Sequence, residues 1–378
     1  MPSIRSKEFL MIPGPTPVPD EILEIHGQQP LGHRSKEFAS YVDRAVAGLK
    51  WLAETEAEPL LLTTSGTGAM DAAIANTINR GEKVLSLICG VFGERFAKIA
   101  EAYGAEVERH TVEAGKAIDP KEVEKLLAAD KASEIKAVTV THNETSTGVI
   151  NDLEAISKIV KSHGALLLVD TVTSLGAAPV RMDAWNLDVV VAGSQKALML
   201  PPGLAVIYLS EAAWKKSESC TNGRFYLDLA RYKKSQEKSM TPFTPNVSLI
   251  IALVKSLEMM QETGKEEIYK RHQALRKTLR KALIELGLNP VVEEEHASPT
   301  ITSIWPPEGI SVSEIRERLK EDYRIVVADG QEHLKGKIFR IGHMGYVFDR
   351  DIGMTINALT NIFQSLKAKS PVGQKSAS

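Results

Sequence analysis

The sequence predicts an α/β architecture: a large unit with a mostly parallel sheet flanked by helices, then a smaller C-terminal α+β unit. Three observations carry this. Short apolar runs alternate with helix-like segments between residues 60 and 209. The period breaks near Gly264, where a long, charged helical stretch begins. And 378 residues are more than one hydrophobic core ordinarily organises.

In order along the chain, residues 12–19 hold four prolines, too many for a helix or a central strand. They read as an extended arm, ordered only by lying on its own domain or on a partner subunit. We assign residues 1–20 to this arm, 21–264 to the large unit and 265–378 to the small one. A helix is expected over 37–54, a buried strand over 60–64 and an alanine-rich helix over 69–80. Strands follow over 83–88, 106–111, 136–141 and 165–169, each preceding a helix-like segment (92–103, 120–131 and 153–162) or a loop. Further strands are expected over 189–193 and 204–209, a polar helical or irregular stretch over 212–236, and a helix over 249–262. In the last third, a helix over 265–286 precedes strands over 300–304, 325–327 and 338–341 and helices over 312–322 and 349–368. The small, polar residues 367–378 are expected to fray.

Composition narrows the function classes. With 43% hydrophobic and 25% charged residues the chain is ordinary for a globular protein. A net charge of −2 gives no electrostatic case for nucleic acid or an anionic membrane. No apolar run is long enough to span a bilayer, and residues 1–10 lack the apolar core of a signal peptide. Two cysteines, Cys89 and Cys220, make no disulfide framework, so a reducing, cytoplasmic setting is expected.

Ligands of parallel sheets bind beyond the carboxyl ends of the strands. Four polar groups fall there: Ser65, Thr145, Asp170 and Lys196. Lys196 is the one charged residue between Asp188 and Glu211. Desolvation disfavours an ammonium, so such a lysine offers a neutral amine for Schiff-base chemistry, or else it snorkels to water from a strand end. Asp170 closes the run Leu166-Leu167-Leu168-Val169; it either caps a turn or holds a proton on a heteroaromatic nitrogen. Ser65-Gly66-Thr67-Gly68 joins a strand to a helix, which aims free N–H groups and the helix dipole at one spot. It is an anion site or an ordinary capped helix start, and its spacing matches neither dinucleotide nor nucleotide fingerprints. Arg340 lies in the apolar strand Ile338-Phe339-Arg340-Ile341, where it meets either a structural carboxylate or an anionic ligand. Pyridoxal phosphate chemistry on an amino acid accounts for all four features together.

Taken together, the motifs resemble the class V aminotransferases of the fold-type I pyridoxal phosphate enzymes, and within them the alanine–glyoxylate / serine–pyruvate group. The matching stretches run nearly the whole chain: residues 13–19, Gly32-His33-Arg34-Ser35, Ser65-Gly66-Thr67-Gly68, 141–148, Val169-Asp170, Gly193-Ser194-Gln195-Lys196-Ala197-Leu198, Pro201-Pro202-Gly203, 241–245 and Arg340-Ile341-Gly342. The resemblance implies that Lys196 binds the cofactor covalently and moves the substrate proton, and that Asp170 pairs with the pyridine nitrogen. It implies that Ser65, Gly66 and Thr67 bind the phosphate, with Gln195 close by. Thr145 would meet the ring's polar edge and Phe92 its face. Thr244, and Thr241 beside it, would reach the partner subunit's phosphate in a homodimer, and Arg340 would bind the substrate carboxylate. No metal is implied. Three positions depart from mammalian-type members, which carry tryptophan at Phe92, histidine at Thr67 and tyrosine at Thr241. The implied activity is amino transfer from serine or alanine to pyruvate or glyoxylate, with Arg34 the only other cation near the mouth. The rival readings are a cysteine desulfurase, a phosphonate or phosphoserine transaminase, a broader enzyme that also takes aspartate, and a non-enzymatic subunit with a decayed site.

Overall fold

The computed structural model of this chain describes residues 8–369. The elements run in order β1 (Phe9–Met11), α1 (Asp20–His26), α2 (Lys36–Ala53), β2 (Leu60–Leu62), α3 (Gly66–Thr77), β3 (Lys83–Ile88), α4 (Val91–Ala102), β4 (Glu106–Thr111), α5 (Pro120–Ala129) and β5 (Ile135–Thr141). A hairpin of β6 (Asn143–Glu144) and β7 (Val149–Ile150) follows, then α6 (Leu153–His163), β8 (Leu166–Asp170), β9 (Val189–Gly193), β10 (Ala205–Leu209), α7 (Glu211–Glu218), α8 (Leu229–Gln236) and α9 (Val247–Thr263). The remainder is α10 (Lys265–Glu285), β11 (Asn289–Pro290), β12 (Ile301–Trp305), α11 (Val312–Tyr323), β13 (Ile325–Asp329), β14 (Phe339–Gly342) and α12 (Asp349–Lys369).

The main sheet has the order β2-β10-β9-β8-β5-β3-β4. Only β10 runs against the others. Its central strands are apolar on both faces, β9 being buried throughout, because helices cover the sheet on each side. The carboxyl ends of β2, β3, β5, β8 and β9 therefore share one edge, and the polar residues just beyond them are gathered there. The second sheet, β1-β13-β14-β12-β11, packs with α10, α11 and α12 around its own apolar cluster. Gly264, at φ 82°, joins α9 to α10.

Several boundaries differ from expectation, each for a local reason. α3 starts at Gly66, not residue 69, with Gly66 and Gly68 in its first turn and closely packed there. A Cβ on Gly66 would lie 2.6 Å from Val172 Cγ2, and one on Gly68 would lie 2.1 Å from Thr64 Oγ1. The same helix ends at Thr77, short of residue 80. Ser35, part of the Gly32-His33-Arg34-Ser35 stretch, is the N-cap of α2 and accepts from Phe38 N at 3.1 Å. The polar stretch 212–236 resolves into α7 and α8. The arm lies on its own chain: Phe9, Leu10 and Met11 pair with Ile325, Val326 and Val327 at the edge of the second sheet. Of residues 367–378, expected to fray, 367–369 are instead the last residues of α12, and the rest lie outside the described residues. Among the described residues no helix is long and apolar enough to cross a membrane.

Candidate active site

The arm, β9 and the small sheet meet at Lys196. After β9 the chain turns sharply, with Ser194 Oγ donating to Pro201 O at 2.7 Å, and this turn sets Lys196 at the sheet edge. The arm then crosses it. Lys196 Nζ donates to Pro13 O at 2.6 Å, Thr16 N donates to Gln195 O at 3.1 Å, and Thr16 Oγ1 donates to Lys196 O at 2.9 Å. Gly14, at φ 133°, lies so close that a Cβ there would sit 2.6 Å from Nζ. A side chain at residue 14 is thus excluded both by backbone conformation and by space.

Burial is the main influence on Lys196. It pushes the amine down to about 8; Asp170 opposes this, while Arg340 and Arg95 add to it. Asp170, at the end of β8, is 4% exposed. Its Oδ1 accepts from Val172 N at 2.9 Å. Burial pushes its carboxyl up to about 6; the Val172 hydrogen bond opposes that, Glu144 reinforces it, and Lys196 and Arg95 oppose it.

Arg340, on β14, is 4% exposed. Its Nε donates to Asp329 O at 2.7 Å, and its Nη1 to Thr145 O at 2.8 Å and Gln331 Oε1 at 3.1 Å. Nη2 makes no hydrogen bond among the described residues. Burial lowers the guanidinium to about 10, against the pull of Glu144 and Asp329.

The other expected residues fall into two groups. Gly66 and Thr67 begin α3, where backbone N–H groups have no helical partner. Ser65 is its N-cap but makes no side-chain capping bond. Gln195 Oε1 and Thr145 Oγ1 are buried with no hydrogen-bond partner among the described residues. Phe92 stands at the start of α4, its N–H donating to Glu144 Oε2 at 2.9 Å. All of these sit at the one strand edge. Thr241 and Thr244 are not joined to it. The Thr241 hydroxyl is spent on Phe243 O at 2.8 Å, Arg34 Nη1 donates to Thr241 O at 2.6 Å, and Thr244 is exposed.

Two charged residues of this edge were not singled out from sequence. Arg95 Nη1 donates to Thr67 Oγ1 at 3.2 Å, and its guanidinium lies over the Phe92 ring. Glu144, fully buried, also accepts from Gly93 N at 3.1 Å and from Ser146 N and Oγ at 3.0 and 2.6 Å. Arg95 looks in sequence like any helix-surface arginine. For Glu144 a signal existed: a carboxylate in the uncharged run that follows a strand end.

This donor set fits pyridoxal phosphate. Buried polar atoms are nearly always paired in folded proteins, and Thr145 Oγ1 and Gln195 Oε1, unpaired among the described residues, are available to a ligand. A buried amine, a buried carboxyl short of partners and an open helix N-terminus lie around them. A sheet with these groups at its carboxyl edge defines a pyridoxal phosphate transferase of fold-type I.

Relatives narrow the class. The profile of the aminotransferase class-V family matches residues 19–345. A Synechococcus protein described as a soluble hydrogenase small subunit is 47% identical over 364 residues, 96% of this chain and 94% of its own. The serine–glyoxylate aminotransferase of Methylorubrum extorquens is 37% identical over 348 residues, 90% and 87% of the two chains. The crystal structure of an alanine–glyoxylate aminotransferase from Nostoc superposes with a TM-score of 0.91 at 30% identity, over 96% and 97% of the two chains. The chain belongs to the class-V aminotransferases; it is an aminotransferase, and its cofactor is pyridoxal phosphate.

Proposed function

We propose that this enzyme moves the amino group of a small L-amino acid, serine or alanine, to a small 2-oxo acid, glyoxylate or pyruvate. The observation that carries this reading is Arg340, the arginine buried at this edge among the described residues, with one nitrogen left open beside the Lys196 amine. A substrate α-carboxylate would meet Nη2, with the Gln331 contact yielding to a second bond in the fork. The other nearby guanidinium, Arg95, is already committed to Thr67 and Phe92, which supports substrates without a second acidic group.

When bound, the cofactor supplies an aldehyde that takes up amino groups and a ring that spreads the electron pair left at the substrate α-carbon. The chain's own residues do the rest. The N–H groups of Gly66 and Thr67, with the Ser65 and Thr67 hydroxyls, hold the phosphate at the start of α3. Asp170 holds a proton on the pyridine nitrogen, and that positive partner restores the carboxylate which burial disfavours. Thr145 and Gln195 orient the ring's polar edge, and Phe92 covers one face. Lys196 would be the covalent anchor and, as a partly neutral amine, would carry a proton at Nζ between the substrate α-carbon and the cofactor's C4′ carbon. Both cysteines are buried, and burial pushes the Cys89 thiol up, far from the mobile thiolate a desulfurase requires.

The same reading includes a cytoplasmic homodimer in which the exposed Thr244, with Thr241 beside it, is offered to the partner's cofactor. It also includes the division into arm, large unit and small unit at residues 20 and 264. The test is a donor–acceptor panel followed through the cofactor's absorbance, with Arg340→Ala alongside. Serine or alanine with glyoxylate or pyruvate should be the best pairs. In Arg340→Ala, KM should rise for amino and oxo acid alike by roughly thirtyfold to several thousandfold, the loss of about 2–5 kcal/mol of a charge-assisted pair. Aspartate or glutamate outrunning serine and alanine would overturn the small-substrate reading and leave transamination standing.

A further inference from the structure

Arg95 touches the site from outside. It stands on α4 one turn beyond Phe92, and its guanidinium carbon is 4.8 Å from the Phe92 ring centroid. Its Nη1 bridges to Thr67 Oγ1 on α3. On its other side it lines a cavity of about 570 Å³ with Gly90, Thr147 and His333, a cavity that neither Phe92 nor Thr67 reaches. Arg95 thus borders that cavity and also reaches the Phe92 ring and the Thr67 hydroxyl.

We propose that Arg95 is a positioning residue for the cofactor: it locks the Phe92 ring and the Thr67 hydroxyl into one arrangement before the cofactor binds. This rests on the pyridoxal phosphate site described above. A planar guanidinium can stack on a ring and donate sideways at once; an ammonium does one or the other. The backbone of Phe92 is held independently. Glu144 accepts from Phe92 N and Gly93 N and is itself fixed by Ser146. Removing the guanidinium therefore frees the ring and the hydroxyl but leaves the start of α4 in place.

The experiment is titration of the full-length, cofactor-stripped protein with pyridoxal phosphate, reading Kd and the visible circular dichroism per bound cofactor. Arg95→Ala and Arg95→Lys should both raise Kd about tenfold and weaken the dichroism, with the melting temperature of the stripped protein unchanged. In a Phe92→Leu, Thr67→Ala background, Arg95→Ala should add less than about a twofold change, because the residue acts through the ring and the hydroxyl. Arg95→Lys behaving like wild type would overturn the proposal, since a point charge would then suffice. So would effects that simply multiply in the Phe92→Leu, Thr67→Ala background, or a loss of melting temperature in Arg95→Ala large enough to account for the Kd. Failure of the wild-type protein to bind pyridoxal phosphate would instead overturn the site reading itself.

Discussion

Asp170 and Asp188 sit at opposite ends of adjacent parallel strands, and the fold treats them differently. Asp188, just before β9, has its side chain 1% exposed and fully partnered. Leu167 N donates to it at 2.8 Å, Ser210 Oγ at 2.8 Å, and Lys161 forms an ion pair with it. The carboxyl of Asp170, at the end of β8, accepts from Val172 N alone among the described residues, and burial lifts it to about 6. A buried carboxylate is tolerated when its hydrogen bonds are made within the fold. The amino edge of the sheet makes them. The carboxyl edge leaves them short, at Asp170, Thr145 Oγ1 and Gln195 Oε1, and the amine of Lys196 there is disfavoured as a cation. The contrast separates charge that stabilises the fold from charge held ready for a ligand.

The largest effect should come from the amine. Lys196→Ala should lower transamination by roughly 10⁴-fold or more, because anchor and proton carrier are lost together, and steady-state rates with purified variants will show it. Mutating Lys161, on the other edge, should leave turnover unchanged.

Next comes the aspartate pair. Asp170→Asn should lose at least about a hundredfold in turnover, since an amide cannot hold the pyridine proton. The stripped variant should nevertheless be as stable as wild type or more so, with a buried charge removed. Asp188→Asn should do the reverse: turnover per folded molecule retained, stability lower by about 2 kcal/mol in urea unfolding as its donors lose a charged partner. If Asp170→Asn kept its turnover, Asp170 would be structural and the contrast would collapse.

An effect of similar size is on stability against pH in the stripped protein. Between about 4 and 6 the folded Asp170 still holds its proton while the unfolded one has released it. Stability should therefore fall as pH rises through that window and stay lower above it. Between about 8 and 10.5 the folded Lys196 has lost its proton while the unfolded one keeps it, so stability should rise. Each change is of the order of 3 kcal/mol. Asp170→Asn should flatten the first slope and Lys196→Met the second, in denaturant titrations at stepped pH.

Much of this edge was legible in the sequence. Lys196 and Asp170 stood out because a lone charge beside an apolar run has few physical explanations, and the strand–helix period placed both at one end of a sheet. The glycine turn was legible too, although its helix starts at Gly66, and the crowding of Gly66 and Gly68 by Val172 and Thr64 is one that no local pattern reveals. What escaped depends on distant partners. β1 is three residues long and takes its structure from Ile325–Val327. The closing of the arm over Lys196 at Pro13 joins residues 183 positions apart. Arg95 earns its place only through Thr67 and Phe92, and Glu144 through the start of a helix some fifty residues earlier. α1 was hidden by the prolines that precede it.

The central claim is that Lys196 is the amine the fold holds ready for its cofactor. Borohydride reduction of the yellow protein, followed by peptide mapping, tests it most directly. The account predicts one stable pyridoxyl adduct, on the peptide containing Lys196, and none in Lys196→Ala. An adduct on any other lysine, or a wild-type protein that acquires none, would contradict it.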